Sequence, residues 1–140
     1  MRASTTLALE SVQPPHWKAP KGYRNGVVAP AGARLVFVSG QIAWDAEQRL
    51  VGAGDFAAQF RQSLANVLAV VRAAGGGPEH VAELTVFVTD RRLYLAATRE
   101  LGAIWKELAG REYPAMALVE VKALLEKGAL VEIRGIAAIA

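Results

Sequence analysis

The chain has 140 residues, of which 53% are hydrophobic and 21% are charged, and its formal net charge is +3 at pH 7. These values are typical of one globular domain with a sizeable core and argue against a disordered chain. The absence of cysteine excludes disulfides, thiol nucleophiles and cysteine metal sites, and no apolar run approaches the roughly 20 residues of a membrane-spanning helix.

The first predicted elements are strands and loops. Weak alternation over Thr5–Ser11 predicts an edge strand, and the prolines and glycines of segment 13–26 predict an irregular loop. The apolar, β-branched run Arg34–Ser39 predicts a strong strand. A polar loop follows over 45–54, with a short strand around Leu50. This half of the chain therefore supplies one strong strand and several short pieces.

Two amphipathic helices are predicted further along. Asp55 is the expected N-cap of the first, whose apolar residues recur at three- and four-residue spacing until the glycine run 75–77. These glycines end a helix and precede no Gly-Lys-Ser pattern, so they predict a helix terminator and not a phosphate-binding loop. A strand is predicted over Glu83–Thr89 and a second helix from about Arg92 to Ala109.

Two strand-like runs complete the chain, over Tyr113–Val121 and Leu130–Ile136. Pro114 opens the first run, where a strand tolerates proline. The order of elements predicts an α+β, two-layer domain over residues 1–140, in which a mixed β-sheet has two helices packed on one face.

The last predicted strand has one unusual face. Glu132, Arg134, Ile136 and Ala138 alternate with apolar neighbours and should point away from the helices. An unpaired carboxylate such as that of Glu132 is costly to bury. A half-apolar second sheet face therefore predicts a partner, and further copies of the chain are the simplest one.

Several segments form a recognisable series along the chain. They are Leu35–Ile42, which contains Ser-Gly-Gln, the helix segment Gln62–Val67, the strand Leu84–Asp90, and the C-terminal pieces Tyr113-Pro-Ala, Val119-Glu-Val and Val131-Glu-Ile. In this order they resemble the Rid (reactive intermediate deaminase, RidA/YjgF) family. The resemblance covers roughly residues 23–139 and implies a chorismate-mutase-like (YjgF-like) fold and a homotrimer with small-molecule clefts between subunits.

The resemblance also implies an activity and a set of site residues. Typical members hydrolyse enamines and imines derived from amino acids, releasing a 2-oxo acid and ammonia, and no cofactor is expected. Carried over residue by residue, the catalytic glutamate that positions or activates water is Glu132. The substrate-binding positions are Tyr23, Ser39, Gly40, Met116, Ala117 and Arg134.

Two positions depart from the family pattern. Met116 stands where the family has an arginine that grips the substrate carboxylate, and a thioether cannot act as a charge partner. Hydrogen bonds to charged groups contribute roughly 1.5–3 kcal/mol each, so losing a bidentate pair removes a large part of the free energy of substrate binding. Arg134 stands where the resemblance leads us to expect an acid. The usual substrate class of the family is therefore in question.

Structural alternatives exist for the same residues. Glu132 could pair with Arg134 or with a cation of a neighbouring subunit, Ser39 could simply end a strand, and Tyr23 could be a packing residue. No metal site is expected, because the only two histidines, His16 and His80, have no matched acidic spacing.

The expected function is that of a cytoplasmic, homotrimeric deaminase-type hydrolase that acts on a small metabolite in an intersubunit cleft. Activity like that of 2-iminobutanoate/2-iminopropanoate deaminases is one form, and a specialised substrate such as 2-aminomuconate is another. A non-catalytic small-molecule-binding trimer is an alternative, and so is an RNA-directed role of the endoribonuclease or translation-inhibitor type. The sixteen Lys and Arg residues are scattered among thirteen acids, which argues against nucleic acid as a partner. No membrane association is expected.

Overall fold

The computed structural model describes residues 8–140. Six strands and three helices follow one another along these residues, with one turn of 3-10 helix at Pro78–His80 before the fourth strand. In chain order they are β1 (Glu10–Val12), β2 (Gly26–Val28), β3 (Arg34–Gln41), α1 (Phe56–Ala73), β4 (Val81–Val88), α2 (Arg91–Ala96), α3 (Thr98–Ala109), β5 (Ala115–Glu120) and β6 (Val131–Ile139).

The main sheet has four strands in the order β3-β6-β4-β5. Strand β6 is antiparallel to both β3 and β4, whereas β4 and β5 are parallel, so the sheet is mixed. Strands β1 and β2 form a separate antiparallel pair. Helix α1 packs on β3 and β6, and α3 packs on α1. The predicted α+β fold, with the helices on one face of a mixed sheet, is confirmed.

Helix α1 begins and ends at the predicted residues. The Asp55 carboxylate accepts a hydrogen bond from the Ala58 amide at 3.1 Å, which satisfies one of the free N–H groups of the first turn. The apolar stripe is buried, with Leu64 and Val67 fully so. Gly75 has a φ of +98°, the left-handed conformation that glycine adopts without strain, and the chain leaves the helix there.

The second predicted helix is divided into α2 and α3. At Ala97, φ is −104° and ψ is 5°, and its amide donates to the Tyr94 carbonyl three residues back. The Thr98 hydroxyl donates to the Leu95 carbonyl at 3.3 Å. A threonine hydroxyl that competes for a backbone carbonyl favours such a break. Composition alone did not predict this division.

Other boundaries shift by a few residues. Strand β3 continues through Gly40 to Gln41, and the short strand expected around Leu50 is a single bridge between Trp44 and Leu50. The edge strand expected over Thr5–Ser11 is present only as β1, and the first three residues of that prediction lie outside the described residues. None of the described helices is long and apolar enough to cross a membrane.

The two faces of the sheet differ strongly. On the helix side, Val131 and Ile133 of β6 are fully buried. On the other side, which we call the outer face, Leu35 is 55% exposed and Phe37 is 69% exposed. Apolar side chains of this size rarely stand in water without a reason. The outer face is therefore the half-apolar face that the pattern of β6 predicts.

Candidate functional site

A β-bulge brings a glycine against Glu132. Val38 pairs with Gly135 and Gln41 pairs with Ile133, so β3 has one more residue than β6 over this interval. Bulges of this kind aim side chains at sites near the ends of strands. A Cβ added at Gly40 would lie 2.7 Å from the Cδ atom of Glu132. The Glu132 carboxylate therefore occupies space that only a glycine leaves open.

Glu132 has no partner in the described part of the chain. Arg134, two residues away, lies 3.6 Å from Oε2 of Glu83 instead, and the Thr85 hydroxyl donates to the other carboxylate oxygen of Glu83 at 2.6 Å. The expected alternative, an ion pair between Glu132 and Arg134, is therefore not formed within one chain. A half-buried carboxylate with no cation beside it is available to water or to a ligand.

Ser39 lies in the bulge next to Gly40. Its carbonyl and its hydroxyl both accept hydrogen bonds from the side-chain amide of Gln41, at 3.2 Å and 3.3 Å. Because Ser39 is exposed, its hydroxyl can also contact a ligand. The bulge thus gathers a hydroxyl, an open glycine and the carboxylate of Glu132 at one edge of the outer face.

Met116 lies on the opposite side of the sheet. It pairs with Leu84, which is 1% exposed and belongs to the core on the helix side. There Met116 lines a cavity of about 380 Å³ bounded by α3, β5 and residues 21–23. Five aromatic side chains line this space, which we call the aromatic cavity: Tyr23, Phe60, Tyr94, Trp105 and Tyr113.

Residues 21–24 form one side of the aromatic cavity and contact the start of β5. The Arg24 amide donates to the Pro114 carbonyl at 3.0 Å, and the Arg24 guanidinium lies 3.2 Å from the carboxylate of Glu112. The Trp105 ring stacks on Tyr113, with centroids 5.6 Å apart, and its N–H donates to the Glu112 carbonyl at 3.0 Å. These contacts fix two walls of the cavity.

The predicted site residues therefore form two groups. Ala117 pairs with Thr85, which pairs with Arg134, so Ala117 belongs to the outer face with Arg134 and Glu132. Tyr23 and Met116 belong to the aromatic cavity. The structure brings Ser39, Gly40 and Glu132 together, and it does not bring them to Met116.

The distance between the two groups follows from the register. Met116 pairs with Leu84, whereas Glu132 pairs with Phe87, three residues further along β4. Strands β5 and β6 flank β4, so two strand spacings separate them. These offsets place the two Cα atoms about 14 Å apart, with the side chains on opposite faces. A small molecule in the aromatic cavity cannot reach Glu132 of the same chain through the sheet.

Sequence reasoning missed most of the aromatic cavity. Tyr94 and Trp105 lie in the predicted second helix and Tyr113 opens the run Tyr113–Val121, but the sequence assigns none of the three to a binding site. The lining residues come from distant segments, so no local motif connects them. A surplus of aromatic residues around the predicted second helix is the one signal that could have indicated the cavity.

A family model described as Endoribonuclease L-PSP matches residues 16–139. The chain belongs to the Rid family. A RutC family protein of Synechocystis is 35% identical over 128 residues, which cover 91% of this chain and 94% of the relative. Protein DfrA of Myxococcus xanthus is 34% identical over 137 residues, which cover 98% of each chain.

Solved structures share the fold. The Rid family protein YyfB of Yersinia pestis superposes with a TM-score of 0.81 at 29% identity, covering 94% of this chain and 99% of that one. TdcF of Escherichia coli, whose structure contains bound serine, superposes with a TM-score of 0.67 at 31% identity, covering 95% and 98%. The predicted YjgF-like fold of this Rid protein is confirmed.

Two carboxylates of this Rid protein have lowered pKa values, and they belong neither to the bulge at Glu132 nor to the aromatic cavity. The Arg49 amide, which donates to Asp45, contributes most to holding the pKa of that carboxyl below its usual value, and the Arg92 side chain does the same for the pKa of Asp90. Asp45 accepts hydrogen bonds from the Glu47 and Arg49 amides in a turn, and Asp90 caps α2. Among the described residues, no group of three or more histidine, aspartate or glutamate side chains could hold a metal ion.

Proposed function

We propose that the protein is a deaminase-type hydrolase that adds water to the C=N bond or enamine of a small metabolite, at a site shared by two copies of the chain. One observation carries this proposal. The unpaired carboxylate of Glu132 and the aromatic cavity at Met116 lie on opposite faces of one sheet, about 14 Å apart. They can act on the same molecule only if one copy supplies Glu132 and a second copy supplies the cavity.

Glu132 performs the proton transfers in this proposal. Its carboxylate takes a proton from a water molecule as the water oxygen bonds to the imine carbon, and the proton passes to the nitrogen. Glu132 then moves the remaining hydroxyl proton to the nitrogen as the C–N bond of the tetrahedral carbon breaks, so that ammonia leaves and a carbonyl compound remains. Gly40 leaves room for the carboxylate, and the exposed Ser39 and the half-buried Arg134 contact the substrate from the same face.

Homotrimeric assembly is part of the proposal. The exposed Leu35, Phe37 and Val119 side chains give the outer face an apolar surface that further copies would cover. Light scattering at micromolar concentration should give about three times the 14.9 kDa of one chain. A stable monomer would contradict both the trimer and the shared site. We also propose that the chain is one domain and that it acts in the cytoplasm.

The activity is tested by ammonia release. Imines such as 2-aminoacrylate, formed in the assay by a partner enzyme, should be hydrolysed faster with the protein than without it, although slowly, because Met116 cannot bind a carboxylate. Met116→Arg should increase this rate, since a guanidinium binds a carboxylate bidentately. If neither protein exceeds the uncatalysed rate with any imine offered, the hydrolase assignment is wrong.

A second candidate is a small-molecule-binding trimer without catalysis. Met116 favours it, because this position lacks the charged group that grips the substrate in the family pattern. The bound serine in the TdcF structure is consistent with ligand binding by this fold. Tight ligand binding by calorimetry without turnover would favour the second candidate over the hydrolase.

A further inference from the structure

A glycine interrupts the middle of α3, and no neighbour among the described residues requires it for steric reasons. Gly102 is the fifth of the twelve residues of this helix. Glycine in a helix interior is destabilising relative to alanine, because it loses more conformational freedom on folding. A Cβ added at Gly102 would meet no heavy atom within 4 Å in the described chain. Within residues 8–140, the space beside Gly102 is therefore open to another molecule.

Gly102 lies at the mouth of the aromatic cavity. It is exposed, and it lines the cavity together with Thr98, Leu101 and Trp105 of the same helix. Backbone that approaches a ligand closely is one of the recognised uses of glycine. The open space at Gly102 and the cavity that it lines together provide room for a ligand.

The lining defines the chemistry of that ligand. The volume of about 380 Å³ lies within the range of small-molecule sites. Aromatic rings such as those of Trp105, Tyr113 and Tyr94 interact best with other flat rings, in stacked or edge-to-face arrangements. Of the lining residues in the described chain, Lys21 alone is charged, and it is exposed.

We propose that the aromatic cavity binds a planar, largely apolar small molecule, and that Gly102 keeps the mouth open for the body of that molecule. If the bound molecule carries one anionic group, that group would point outward to Lys21, because no other lining residue is charged. This inference rests on the proposed function in one respect, since it names the substrate class of the half-site that contains Met116. The substrates it favours are imines that carry an aromatic side chain.

The binding test uses isothermal titration calorimetry with the full-length protein. The probes are 2-naphthol, which is flat and apolar, and 2-oxobutanoate, which is small, aliphatic and charged. We expect 2-naphthol to bind at least tenfold more tightly than 2-oxobutanoate. Gly102→Leu should weaken 2-naphthol binding at least tenfold, because the new side chain occupies the mouth. Equal affinity for both probes would overturn the proposal.

The control lies one position along the same helix. Ala103 is exposed and lines none of the aromatic cavity, so Ala103→Leu adds similar bulk elsewhere and should bind 2-naphthol within about twofold of the native protein. Gly102→Ala provides a second variant in case Gly102→Leu folds poorly. It should raise the melting temperature by about 2–5 °C through helix propensity, and it should weaken binding.

Higher stability combined with weaker binding separates a ligand-related glycine from a structural one. If Gly102→Ala and Gly102→Leu bind 2-naphthol like the native protein, the proposal is wrong. If the mass by light scattering falls in Gly102→Leu while affinity per chain is unchanged, a second copy of the chain accounts for the glycine, and the proposal is also wrong.

A turnover measurement separates this inference from the proposed function. An amino-acid oxidase can release imines from phenylalanine and from alanine in the same assay, and we expect kcat/KM at least tenfold higher for the phenylalanine imine. Binding of 2-naphthol without turnover of any imine would leave the cavity assignment intact and remove the hydrolase. Turnover of the alanine imine alone, with no 2-naphthol binding, would remove only the inference about the aromatic cavity.

Discussion

The outer face and the aromatic cavity lie on opposite sides of the same sheet, and they differ in how far their side chains contribute to packing. On the outer face, Glu132 stands beside Gly40 with no ion-pair or hydrogen-bond partner in the described part of the chain. In the aromatic cavity, Trp105 is 7% exposed, stacks on Tyr113 and donates a hydrogen bond to the Glu112 carbonyl. The chemistry that we propose therefore depends on a group that stabilises the single chain little. Binding depends on side chains that also form the core.

The first prediction tests the outer face. Glu132→Gln keeps the shape and most hydrogen bonds of the side chain but removes its charge. Imine hydrolysis should fall by roughly the 10²–10⁴ typical of a general acid–base group. The free energy of unfolding should change by less than about 0.5 kcal/mol, because no ion pair is lost. Kinetics of ammonia release and urea unfolding measure the two quantities.

Glu126→Gln is the matched control for Glu132→Gln. Glu126 is an exposed glutamate in the loop between β5 and β6, so the same chemical change there should alter neither turnover nor stability. If Glu132→Gln keeps full turnover but loosens the trimer, Glu132 pairs with a cation of a neighbouring subunit and is not catalytic.

The second prediction tests the aromatic cavity. Trp105→Ala removes a buried ring and should lower the free energy of unfolding by about 3–5 kcal/mol, since large-to-small core changes lose burial and leave a void. Trp17, which is 62% exposed, is the control, and Trp17→Ala should stay within about 0.5 kcal/mol. Urea unfolding at fixed protein concentration measures both. Equal effects of the two changes would mean that the cavity walls do not stabilise the fold.

The third prediction concerns the contact between Gly40 and Glu132. In Gly40→Ala the new Cβ would lie 2.7 Å from Cδ of Glu132, so the carboxylate must move. Turnover should fall about tenfold through lost positioning, which corresponds to about 1.4 kcal/mol in the barrier. In a Glu132→Gln background the same change should cost much less, because residues in contact are not additive. Full additivity in this double-mutant cycle would show that Gly40 acts independently of Glu132.

The smallest effect is expected at Asp45, which belongs neither to the bulge at Glu132 nor to the aromatic cavity. Interactions that lower the folded-state pKa of Asp45 below its ordinary value of 3.8 stabilise the fold while the unfolded carboxylate is ionised. Asp45→Asn should therefore lower the melting temperature slightly at pH 7. This difference should shrink below pH 4 and vanish once the pH falls through the folded-state pKa. Turnover should not change. A difference that grows in acid would contradict the assignment.

The sequence was informative where signals are local. Asp55 and the glycines after α1 define that helix by capping chemistry, and the alternation of β6 correctly assigned Glu132 and Arg134 to the face away from the helices. The break at Ala97 could not be predicted, because it depends on which backbone carbonyl accepts a hydrogen bond from the Thr98 hydroxyl. The partner of Arg134 could not be predicted either, because Glu83 and Arg134 lie on the neighbouring strands β4 and β6, and the sequence does not specify their register.

The site residues show the same limit. The family pattern named Met116 and Glu132 together, since both belong to the C-terminal signature, yet only the strand order shows that two strand spacings and the sheet itself separate them. The aromatic cavity depends on contacts between segments as distant as Tyr23 and Trp105. Periodicity within one segment contains no information on such contacts.

Mixed assembly of two variants tests the shared site most directly. Glu132→Gln removes the carboxylate, and Met116→Trp fills the aromatic cavity, so each variant alone should be inactive. If one copy supplies Glu132 and its neighbour supplies the cavity, every mixed trimer contains one intact site. Refolding the two variants together in equal amounts should then restore about one quarter of the native turnover. Recovery no greater than the activity of the separate variants would contradict a site shared between copies.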